Sequence, residues 1–205
     1  MVSVVSKIQQ GRFCIQSLRQ HKRVMSGAFV YEYARPAVTV DAALVSDEEA
    51  PQILLIKRGN PPFQGDWALP GGFVDEGEKL QDAVYRELVE ETSVDLKQYE
   101  GRQYRLRQVH TFGDPGRDPR GWTITVTFAC VVDVDVKYDV KADDDAAEAC
   151  WFDVMSLPSN MAFDHEYMVK KVCQSVLSWK DTPKRVSRGL LRQDPMFTGG
   201  VKNPE

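Results

Sequence analysis

Residues 80–91 form a predicted helix that carries three closely spaced glutamates, because apolar residues recur there at helical spacing. Glu87, Glu90 and Glu91 follow at i, i+3 and i+4, so three carboxylates share one face within one turn. Like charges at this spacing destabilise a helix by roughly 0.2–0.5 kcal/mol per pair, and the helix dipole disfavours anions in the last turn. A bound divalent cation reverses both effects, so the crowding predicts a metal site.

The ligand chemistry indicates Mg²⁺ or Mn²⁺. Carboxylate oxygens are hard ligands, and these cations keep several waters and bridge to substrate phosphates. Such an ion neutralises the charge on a diphosphate, orients it, and lowers the pKa of a bound water that attacks phosphorus. The sequence therefore predicts hydrolysis of a phosphoanhydride bond.

A glycine-rich turn precedes this helix. In residues 70–72 (Pro-Gly-Gly) the two glycines let a backbone carbonyl approach a metal, and Gly77 permits the reversal into the helix. Glu78 lies near the predicted helix start, where the dipole favours an anion, and Arg86 lies about two turns further on. We interpret Glu78 and Arg86 as scaffold that holds the turn and the helix together.

The other periodic segments predict a mixed sheet flanked by helices. Residues 37–45 and 53–57 are aliphatic and β-branched runs of strand length. In residues 122–133 apolar side chains alternate with threonines, so we expect one face in the core and the other half-wet. Residues 165–179 have helical spacing, with Asp164 placed to cap their start.

Taken together, the motif residues follow the ordered pattern G-x5-E-x7-R-E-U-x-E-E, in which U is aliphatic. A single glutamate on a helix is usually a solvated surface charge, but the whole pattern is hard to explain in that way. The pattern resembles the signature of the Nudix hydrolases. The matching positions are Gly72, Glu78, Arg86, Glu87, Leu88, Glu90, Glu91 and Val94.

One position departs from that signature. The pattern expects glycine after Glu-Glu-x, where this chain has Ser93. A glycine relaxes the left-handed conformation that commonly ends a helix, so Ser93 should strain or reshape the helix exit by about 1 kcal/mol. The change removes no ligand, so we expect reduced precision at worst, with a weakened or silent enzyme as the alternative.

The similarity extends over about residues 31–175 and looks like the branch that contains ADP-ribose pyrophosphatases. The segments that carry it are 35–41, 114–121, 144–152 and 162–165. They support the fold more strongly than the substrate, because related chains in this branch act on other nucleotides or serve as ligand-sensing regulators.

The resemblance implies an α/β fold, a Nudix-type α/β/α sandwich with a mixed sheet. It implies that Glu87, Glu90 and Glu91 bind Mg²⁺ (or Mn²⁺) alongside the Gly72 carbonyl. Glu148 falls where some relatives place another ligand or the general base, so Glu87, Glu90 and Glu148 are the catalytic candidates. The alternative interpretation of Glu148 is a surface charge at the start of a strand.

The loop 114–121 is a candidate for substrate binding. Arg117 and Arg120 could donate to phosphate or ribose oxygens, and alternating Pro and Gly residues hold such a loop in a defined shape. In the alternative interpretation, Asp114 and Asp118 pair with these arginines on the surface. We favour binding.

Other side chains offer weaker signals. Phe63, Trp67 and Trp122 are candidates for stacking on adenine, although aromatic residues near strands are more often core. His165 lies near a predicted helix start, and we interpret it as a local hydrogen-bonding residue rather than a catalyst.

The ends of the chain differ from its middle. Residues 1–30 carry basic side chains and no acidic ones, with apolar residues interleaved, which is typical of an organelle presequence. A basic arm of the mature protein is the alternative. Residues 180–205 are basic, contain prolines and glycines, and are predicted to form a mobile tail. The predicted Nudix hydrolase domain covers residues 31–179.

Composition limits the partners and the compartment. A net charge of -4 is ordinary for a globular protein, so nucleic acid is not an expected partner. No apolar run reaches the roughly 20 residues that span a bilayer, so we expect a soluble protein without membrane contact. The four cysteines show no CxxC pair and are predicted to be buried free thiols. This favours the cytoplasm, with a mitochondrial or other organelle location as the alternative.

The leading prediction is Mg²⁺-dependent hydrolysis of ADP-ribose, a small-molecule nucleotide, to AMP and ribose 5-phosphate. The motif indicates the reaction, and the flanking segments indicate the substrate. One alternative is a nucleoside triphosphate pyrophosphohydrolase that sanitises the nucleotide pool. The other is a non-catalytic module that senses ADP-ribose or a dinucleotide. A pure sensor gains little from retaining all three carboxylates. The sequence does not determine the oligomeric state, and a homodimer is one of the alternatives.

Overall fold

The computed structural model describes residues 32–99, 102, 104–138, 140–142 and 146–191. The predicted N-terminal presequence or arm and the last part of the predicted tail lie outside the described residues. Among the helices of the described part, none has the length and apolar character that a membrane crossing requires. Cys130, Cys150 and Cys173 are free thiols, as predicted, and Cys130 and Cys173 are buried.

Seven strands and four helices make up the described part of the fold. The strands are β1 (Ala37–Ser46), β2 (Gln52–Arg58), β3 (Trp67–Ala68), β4 (Gly71–Phe73), β5 (Arg107–Phe112), β6 (Thr123–Val132) and β7 (Ala146–Asp153). The helices are α1 (Leu80–Thr92), α2 (Asp135–Tyr138), α3 (His165–Ser178) and α4 (Lys184–Leu191). The three strands and two helices predicted from periodicity agree with these bounds to within one residue at each end.

The strands form one mixed sheet in the order β3-β2-β1-β6-β5, with β4 joined to β1 and β7 joined to β2. β1 runs parallel to β6 along its whole length. On its other edge, β1 pairs antiparallel with β4 over Thr39, Val40 and Asp41, but with β2 only at Val45. The sheet therefore opens between β1 and β2, and β4 lies in that opening beside the first half of β1.

Alternate residues of β1 belong to two separate cores. Val40 and Leu44 pack in one core with Leu88 of α1. Ala43 and Val45 pack in the other core with residues of α3 and α4. Because successive side chains of a strand point to opposite faces, the sheet lies between helices on both sides. The predicted α/β/α sandwich with a mixed sheet is confirmed.

The threonine face of β6 is buried, so the prediction of a half-wet face is wrong. Thr125 and Thr127 are 0% exposed, and Thr123 is also buried. On this face Ala129 belongs to the core that contains α3, which covers the sheet here. Thr125 Oγ1 donates a hydrogen bond to the carboxylate of Asp41 on the neighbouring strand. Helix α3 therefore covers this face of the sheet, which the sequence predicted to be in contact with solvent.

Asp164 precedes α3, but its side chain makes no capping hydrogen bond. Both of its carboxylate oxygens instead accept hydrogen bonds from Arg117, at 3.0 and 2.6 Å. The predicted helix cap is wrong because the arginine occupies the carboxylate.

Part of the predicted mobile tail is a packed helix. Val186 and Leu190 of α4 are 0% exposed and belong to the core that contains α3. Arg185 of the same helix forms two 2.6 Å hydrogen bonds with Asp47. The prediction of a mobile segment from residue 180 onward is therefore wrong for α4, because apolar residues at i and i+4 give this basic segment a face that packs on the domain.

Candidate active site

Of the predicted turn at residues 70–72, only Pro70 lies in a bend, because Gly71 and Gly72 begin strand β4 and pair with β1. This glycine-rich segment, called the turn below, lies between β1 and the carboxylates of α1. The backbone N–H of Gly71 donates a 2.8 Å hydrogen bond to Glu91 Oε2. A Cβ on Gly72 would lie 2.6 Å from each carboxylate oxygen of Glu87, and a Cβ on Gly71 would overlap the carbonyl oxygen of Val40. The sequence needs two glycines here because the turn packs directly between a strand and two glutamates.

The three carboxylates of α1 differ in exposure. Glu91 is 9% exposed and lies on the buried side of the helix with Leu88. The side chains of Glu87 and Glu90 are 13% and 45% exposed. The row of carboxylates predicted from the i, i+3, i+4 spacing therefore runs from the core to the solvent.

Burial raises the pKa of Glu91 to about 8 and the pKa of Glu87 to about 7. The Gly71 N–H favours the charged form of Glu91, and the neighbouring carboxylate of Glu87 opposes it. Arg86 favours the charged form of Glu87, and Glu90 opposes it. A nearby cation stabilises charged carboxylates, so these two groups would gain charge when a divalent ion binds.

Arg86 joins the turn to the helix. Its Nε and Nη2 donate to the two oxygens of Glu78 at 2.8 and 2.9 Å, and Nη2 also donates to Phe73 O at 3.0 Å. Its Nη1 donates to Glu87 Oε1 at 2.6 Å and to Glu90 Oε2 at 2.9 Å. These contacts, first of all those with Glu78, raise the pKa of the guanidinium. They are the contacts that a scaffold role for Glu78 and Arg86 requires.

The donor set fits a hard divalent cation. Glu87, Glu90 and Glu91 supply carboxylate oxygens beside a turn whose missing Cβ leaves the Gly72 backbone against Glu87. Within the described segments, no three histidine, cysteine or acidic side chains already converge as a complete metal site. Glu87 and Glu90 form ion pairs with Arg86 in place of such a site. The chemistry of the oxygen donors, rather than a preformed cage, is what matches Mg²⁺ or Mn²⁺.

Glu148 lies within β7 and not just before a strand. Its carboxylate pairs with Lys57 Nζ at 3.3 Å, and its side chain is 50% exposed. Cys150 Sγ donates to its Oε1 at 3.7 Å. Among the hydrogen bonds and ion pairs of the described residues, none joins Glu148 to the carboxylates of α1.

A cavity of about 40 Å³ opens beside the turn. Gly71 and Gly72 line it together with Arg58, Arg117 and Arg120. Asp41 and Asp118 line it as well, so three guanidinium groups face two carboxyl groups. The excess of donors favours an anionic ligand, and phosphate oxygens suit paired guanidinium donors.

Aspartates orient the two arginines of the loop 114–121. Arg117, whose side chain is 6% exposed, pairs with Asp164 at 2.6 Å and not with Asp114. Arg120 pairs with Asp118 at 2.7 Å, as the surface-pairing alternative expected. However, Asp118 is 3% exposed, so this pair is built into the cavity wall rather than lying on an open surface.

A buried polar pair lies behind the turn. His165 Nδ1 accepts a 2.9 Å hydrogen bond from the backbone N–H of Leu69, as expected for a local hydrogen-bonding residue. His165 Nε2 lies 3.8 Å from Asp41 Oδ1. Burial lowers the pKa of His165 and raises the pKa of Asp41, while each of the two groups acts on the other in the opposite direction. The sequence reasoning missed Asp41, although a lone acidic residue within the apolar strand 37–45 was a usable signal.

The three aromatic candidates have different surroundings. Phe63 is 38% exposed, and its ring lies 4.7 Å, edge to face, from that of Phe163, which lines the cavity. Trp67 is 9% exposed and packs on Phe152 in the core. Trp122 is 54% exposed and lies just before β6. Phe163 was missed because only the fold brings it close to the turn.

A larger cavity, of about 240 Å³, lies at the carboxyl ends of β1 and β6. Its lining aspartates are engaged in ion pairs, for example Asp181 with Arg107 and Asp47 with Arg185. The motif residues of α1 and the turn are not among those that line it. We therefore assign the chemistry to the smaller cavity, which adjoins the turn.

The chain is similar to known proteins over most of its length. The NUDIX domain family model matches residues 35–172, which include the turn, α1 and the loop 114–121. An ADP-ribose pyrophosphatase of Methanocaldococcus jannaschii is 42% identical over 149 residues, which are 73% of this chain and 78% of that protein. The ADPR responsive transcriptional repressor NtrR of Acinetobacter baylyi is 35% identical over 171 residues, which are 82% of this chain and 64% of the repressor.

Solved structures share the fold. A MutT/nudix family protein from Enterococcus faecalis has a TM-score of 0.64 and 32% identity, over 80% of this chain and 70% of that one. The NUDIX domain of Shewanella oneidensis NrtR, in its complex with ADP ribose, has a TM-score of 0.58 and 32% identity. That match covers 68% of this chain and 88% of the domain.

Proposed function

Because the chain belongs to the Nudix family of hydrolases, we propose that it cleaves the diphosphate of ADP-ribose with water, giving AMP and ribose 5-phosphate. The observation that carries the proposal is the packing of the Gly71–Gly72 turn against Glu87 and Glu91. Both glycines also line the cavity that contains Arg58, Arg117 and Arg120, so the same turn contacts two carboxylates of α1 and the arginine-lined cavity.

The substrate is the more specific part of the proposal. The pyrophosphatase that is 42% identical to this chain is named for ADP-ribose, and a similar NUDIX domain has been solved in complex with that compound. Arg117 and Arg120 line the cavity beside the turn, where they would donate to the phosphate or ribose oxygens of a bound nucleotide. An anionic diphosphate complements this lining.

Nudix hydrolases generally use a divalent metal, and here Glu87, Glu90 and Glu91, with the Gly72 carbonyl, would hold Mg²⁺ or Mn²⁺. When bound, such an ion neutralises the diphosphate charge and lowers the pKa of the attacking water. Arg86 keeps the glutamates in position through its bonds to both the turn and the helix.

Glu87, Glu90 and Glu148 are the candidates for the general base that takes the proton of the attacking water. If Glu148 is the base, Glu148→Gln should lower kcat and leave the dependence on metal concentration unchanged. An unchanged kcat would remove Glu148 from the candidates and leave the two glutamates of α1. Its present contact with Lys57, at 3.3 Å, favours the second outcome.

The test is release of AMP and ribose 5-phosphate from ADP-ribose by the purified chain with Mg²⁺. Glu90→Gln and Glu91→Gln remove a negative charge at nearly constant size, and we expect kcat/KM to fall by about 100-fold or more in each. The matched control is Glu166→Gln, which neutralises an exposed glutamate of α3 that pairs with Lys170. Full activity in both α1 variants would contradict the ligand assignment.

Sensing of ADP-ribose without turnover is the second candidate function, because a repressor described as responsive to ADPR matches 82% of this chain. Saturable binding of ADP-ribose with no product under any divalent ion would favour it. A panel of nucleotides read by product identity covers the remaining alternative, since pyrophosphate release from a triphosphate would indicate a pool-sanitising enzyme.

A further inference from the structure

We propose that Gln81 and Tyr85 are positioning residues, which fix α1 to the segment before β5 and so hold its carboxylates in place for a metal ion. Tyr85 Oη accepts a 3.2 Å hydrogen bond from the backbone N–H of Leu106. Gln81 Nε2 donates a 3.0 Å hydrogen bond to the carbonyl oxygen of the same residue. The inference rests on the proposed function and deepens it, because it names residues that keep the proposed metal ligands aligned.

Gln81 and Tyr85 reach Leu106 together because they lie four residues apart on α1, and residues at this spacing share one face of a helix. Leu106 immediately precedes β5 and lies outside the pairing of that strand with β6. Since Leu106 is buried, its backbone N–H and C=O need partners from elsewhere in the protein. α1 supplies both partners, so a single residue fixes two points of the helix.

The Tyr85 hydroxyl has a defined position because other contacts hold its ring. The ring packs against the core that contains Leu88, and Nζ of Lys97 lies 5.0 Å from the ring centroid. Both residues of the sequence that bond to Leu106, Gln81 and Tyr85, occupy unspecified positions of the pattern G-x5-E-x7-R-E-U-x-E-E. The pattern therefore gave neither of them a role.

Apolar packing alone does not fix the position of α1 on the sheet. Ala83, Val84 and Leu88 are buried on the inner face of the helix. Apolar contacts are non-directional, so they tolerate small shifts of the helix. Hydrogen bonds depend on distance and angle, and they weaken when the helix slides or turns. The two bonds at Leu106 therefore restrict the motions that the packing permits.

The bonds at Leu106 lie outside the charged part of the site. Arg86 pairs with Glu87 and Glu90, and a bound cation would compete for both carboxylates. The bonds at Leu106 join neutral groups, so neither a cation nor a diphosphate disturbs them directly. Tyr85 precedes Glu87 by two residues, about 3 Å of helix rise, so a shift of the helix at this point also moves the carboxylates.

The test is binding of Mn²⁺ to the purified chain, measured by calorimetry without nucleotide. Tyr85→Phe removes only the hydroxyl, and Gln81→Leu removes the donor at an exposed position. We expect the dissociation constant for Mn²⁺ to rise by about 10- to 100-fold in each variant, the range for residues that orient metal ligands. The Mg²⁺ concentration at half-maximal hydrolysis of ADP-ribose should rise in parallel. Loss of folded protein alone would lower the number of binding sites but not the affinity of each site.

Ser46→Ala is the matched control, because the Ser46 hydroxyl also accepts a backbone N–H bond, from Gln52 at 2.9 Å. Ser46 is the last residue of β1, whereas the turn pairs with Thr39, Val40 and Asp41 near the start of that strand. The control should bind Mn²⁺ as the wild type does. Unchanged affinity in both Tyr85→Phe and Gln81→Leu would overturn the proposal, as would an equal loss in Ser46→Ala.

Failure of the proposed reaction gives a different result. Weakened Mn²⁺ binding in the two α1 variants, without hydrolysis of ADP-ribose by the wild type, would retain the positioning role and contradict the reaction. Hydrolysis by the wild type with unchanged Mn²⁺ affinity in the variants would do the reverse. Absence of Mn²⁺ binding by the wild-type chain would contradict both the positioning role and the ligand assignment.

Discussion

The backbone N–H of Leu69 donates a 2.9 Å hydrogen bond to Nδ1 of His165, a residue 96 positions later in the chain. This bond ties the segment just before the Gly71–Gly72 turn to the start of α3. Because both residues are buried, removing the acceptor leaves an unsatisfied N–H that costs about 1–3 kcal/mol. We expect His165→Leu to lower the free energy of unfolding in urea by that amount. His165→Gln, whose side-chain oxygen can accept the bond, should lose less, and equal losses would contradict this role.

The same histidine should make stability depend on pH. Burial lowers the pKa of His165 below its ordinary value of 6.5, so the unfolded chain binds a proton there more readily than the folded protein. The contribution of His165 to stability must then fall as the pH drops below about 6.5, because protons at this site favour the unfolded state, whereas the raised pKa values of Glu87 and Glu91 act in the opposite direction in wild type and variant alike. We expect a greater loss of unfolding free energy between about pH 7.5 and pH 5.5 in the wild type than in His165→Gln. Parallel pH profiles would show that the histidine does not titrate on unfolding.

Gly72→Ala should abolish most of the activity. The added Cβ would lie 2.6 Å from both oxygens of Glu87, so either the turn or the carboxylate must move. A displacement of about 1 Å in a catalytic constellation can cost about 100-fold in rate, and we expect a loss of at least that size in kcat/KM. Gly113→Ala is the control, because its Cβ would lie 3.3 Å from the Ile124 side chain, a contact that a shift of a few tenths of an ångström relieves. Near-normal activity of Gly72→Ala would place the chemistry elsewhere.

Ser93→Gly should stabilise the protein. Ser93 ends α1 with a φ of 58° and ψ of 9°, the left-handed conformation predicted for this position. Glycine adopts it without the Cβ penalty, so we expect an increase in unfolding free energy of up to about 1 kcal/mol. Ser93→Ala keeps the Cβ and should bring no gain. Thermal unfolding measures the difference, and activity assays of both variants test whether the serine weakens the enzyme.

The sequence predicts the elements well where one periodicity dominates. The segments of β1 and α1 are apolar at the spacing of a strand and of a helix, with Asp41 as an acidic interruption in β1, so their type and bounds could be predicted. The burial of Thr125 and Thr127 could not, since it depends on α3, which packs on that face from far along the chain. The motif likewise identified Glu91 as a candidate ligand but not its exposure of only 9%.

Site residues that depend on long-range contacts were the hardest to predict. In the surface-pairing alternative Arg117 was expected to pair with Asp114 or Asp118, but the fold brings Asp164 to it, 47 residues away in sequence. Phe163 lines the smaller cavity together with Gly71 and Gly72 only because the start of α3 lies beside the turn. No local pattern encodes such pairings, whereas the contact of Arg86 with Glu78 spans only eight residues and lies within the motif.

Leu190 and Leu191 are adjacent in α4, but Leu190 is 0% exposed and Leu191 is 53% exposed. If α4 is an integral part of the domain, Leu190→Ala should lower the free energy of unfolding by about 2–5 kcal/mol, because it leaves a cavity in the core. Leu191→Ala makes the same chemical change on the solvent side and should cost well under 1 kcal/mol, or about a few tenths. Urea unfolding of the two variants gives the comparison. Equal and small effects of the two substitutions would mean that the basic segment after residue 180 does not pack on the domain. That outcome would agree with the mobile tail that its composition predicts.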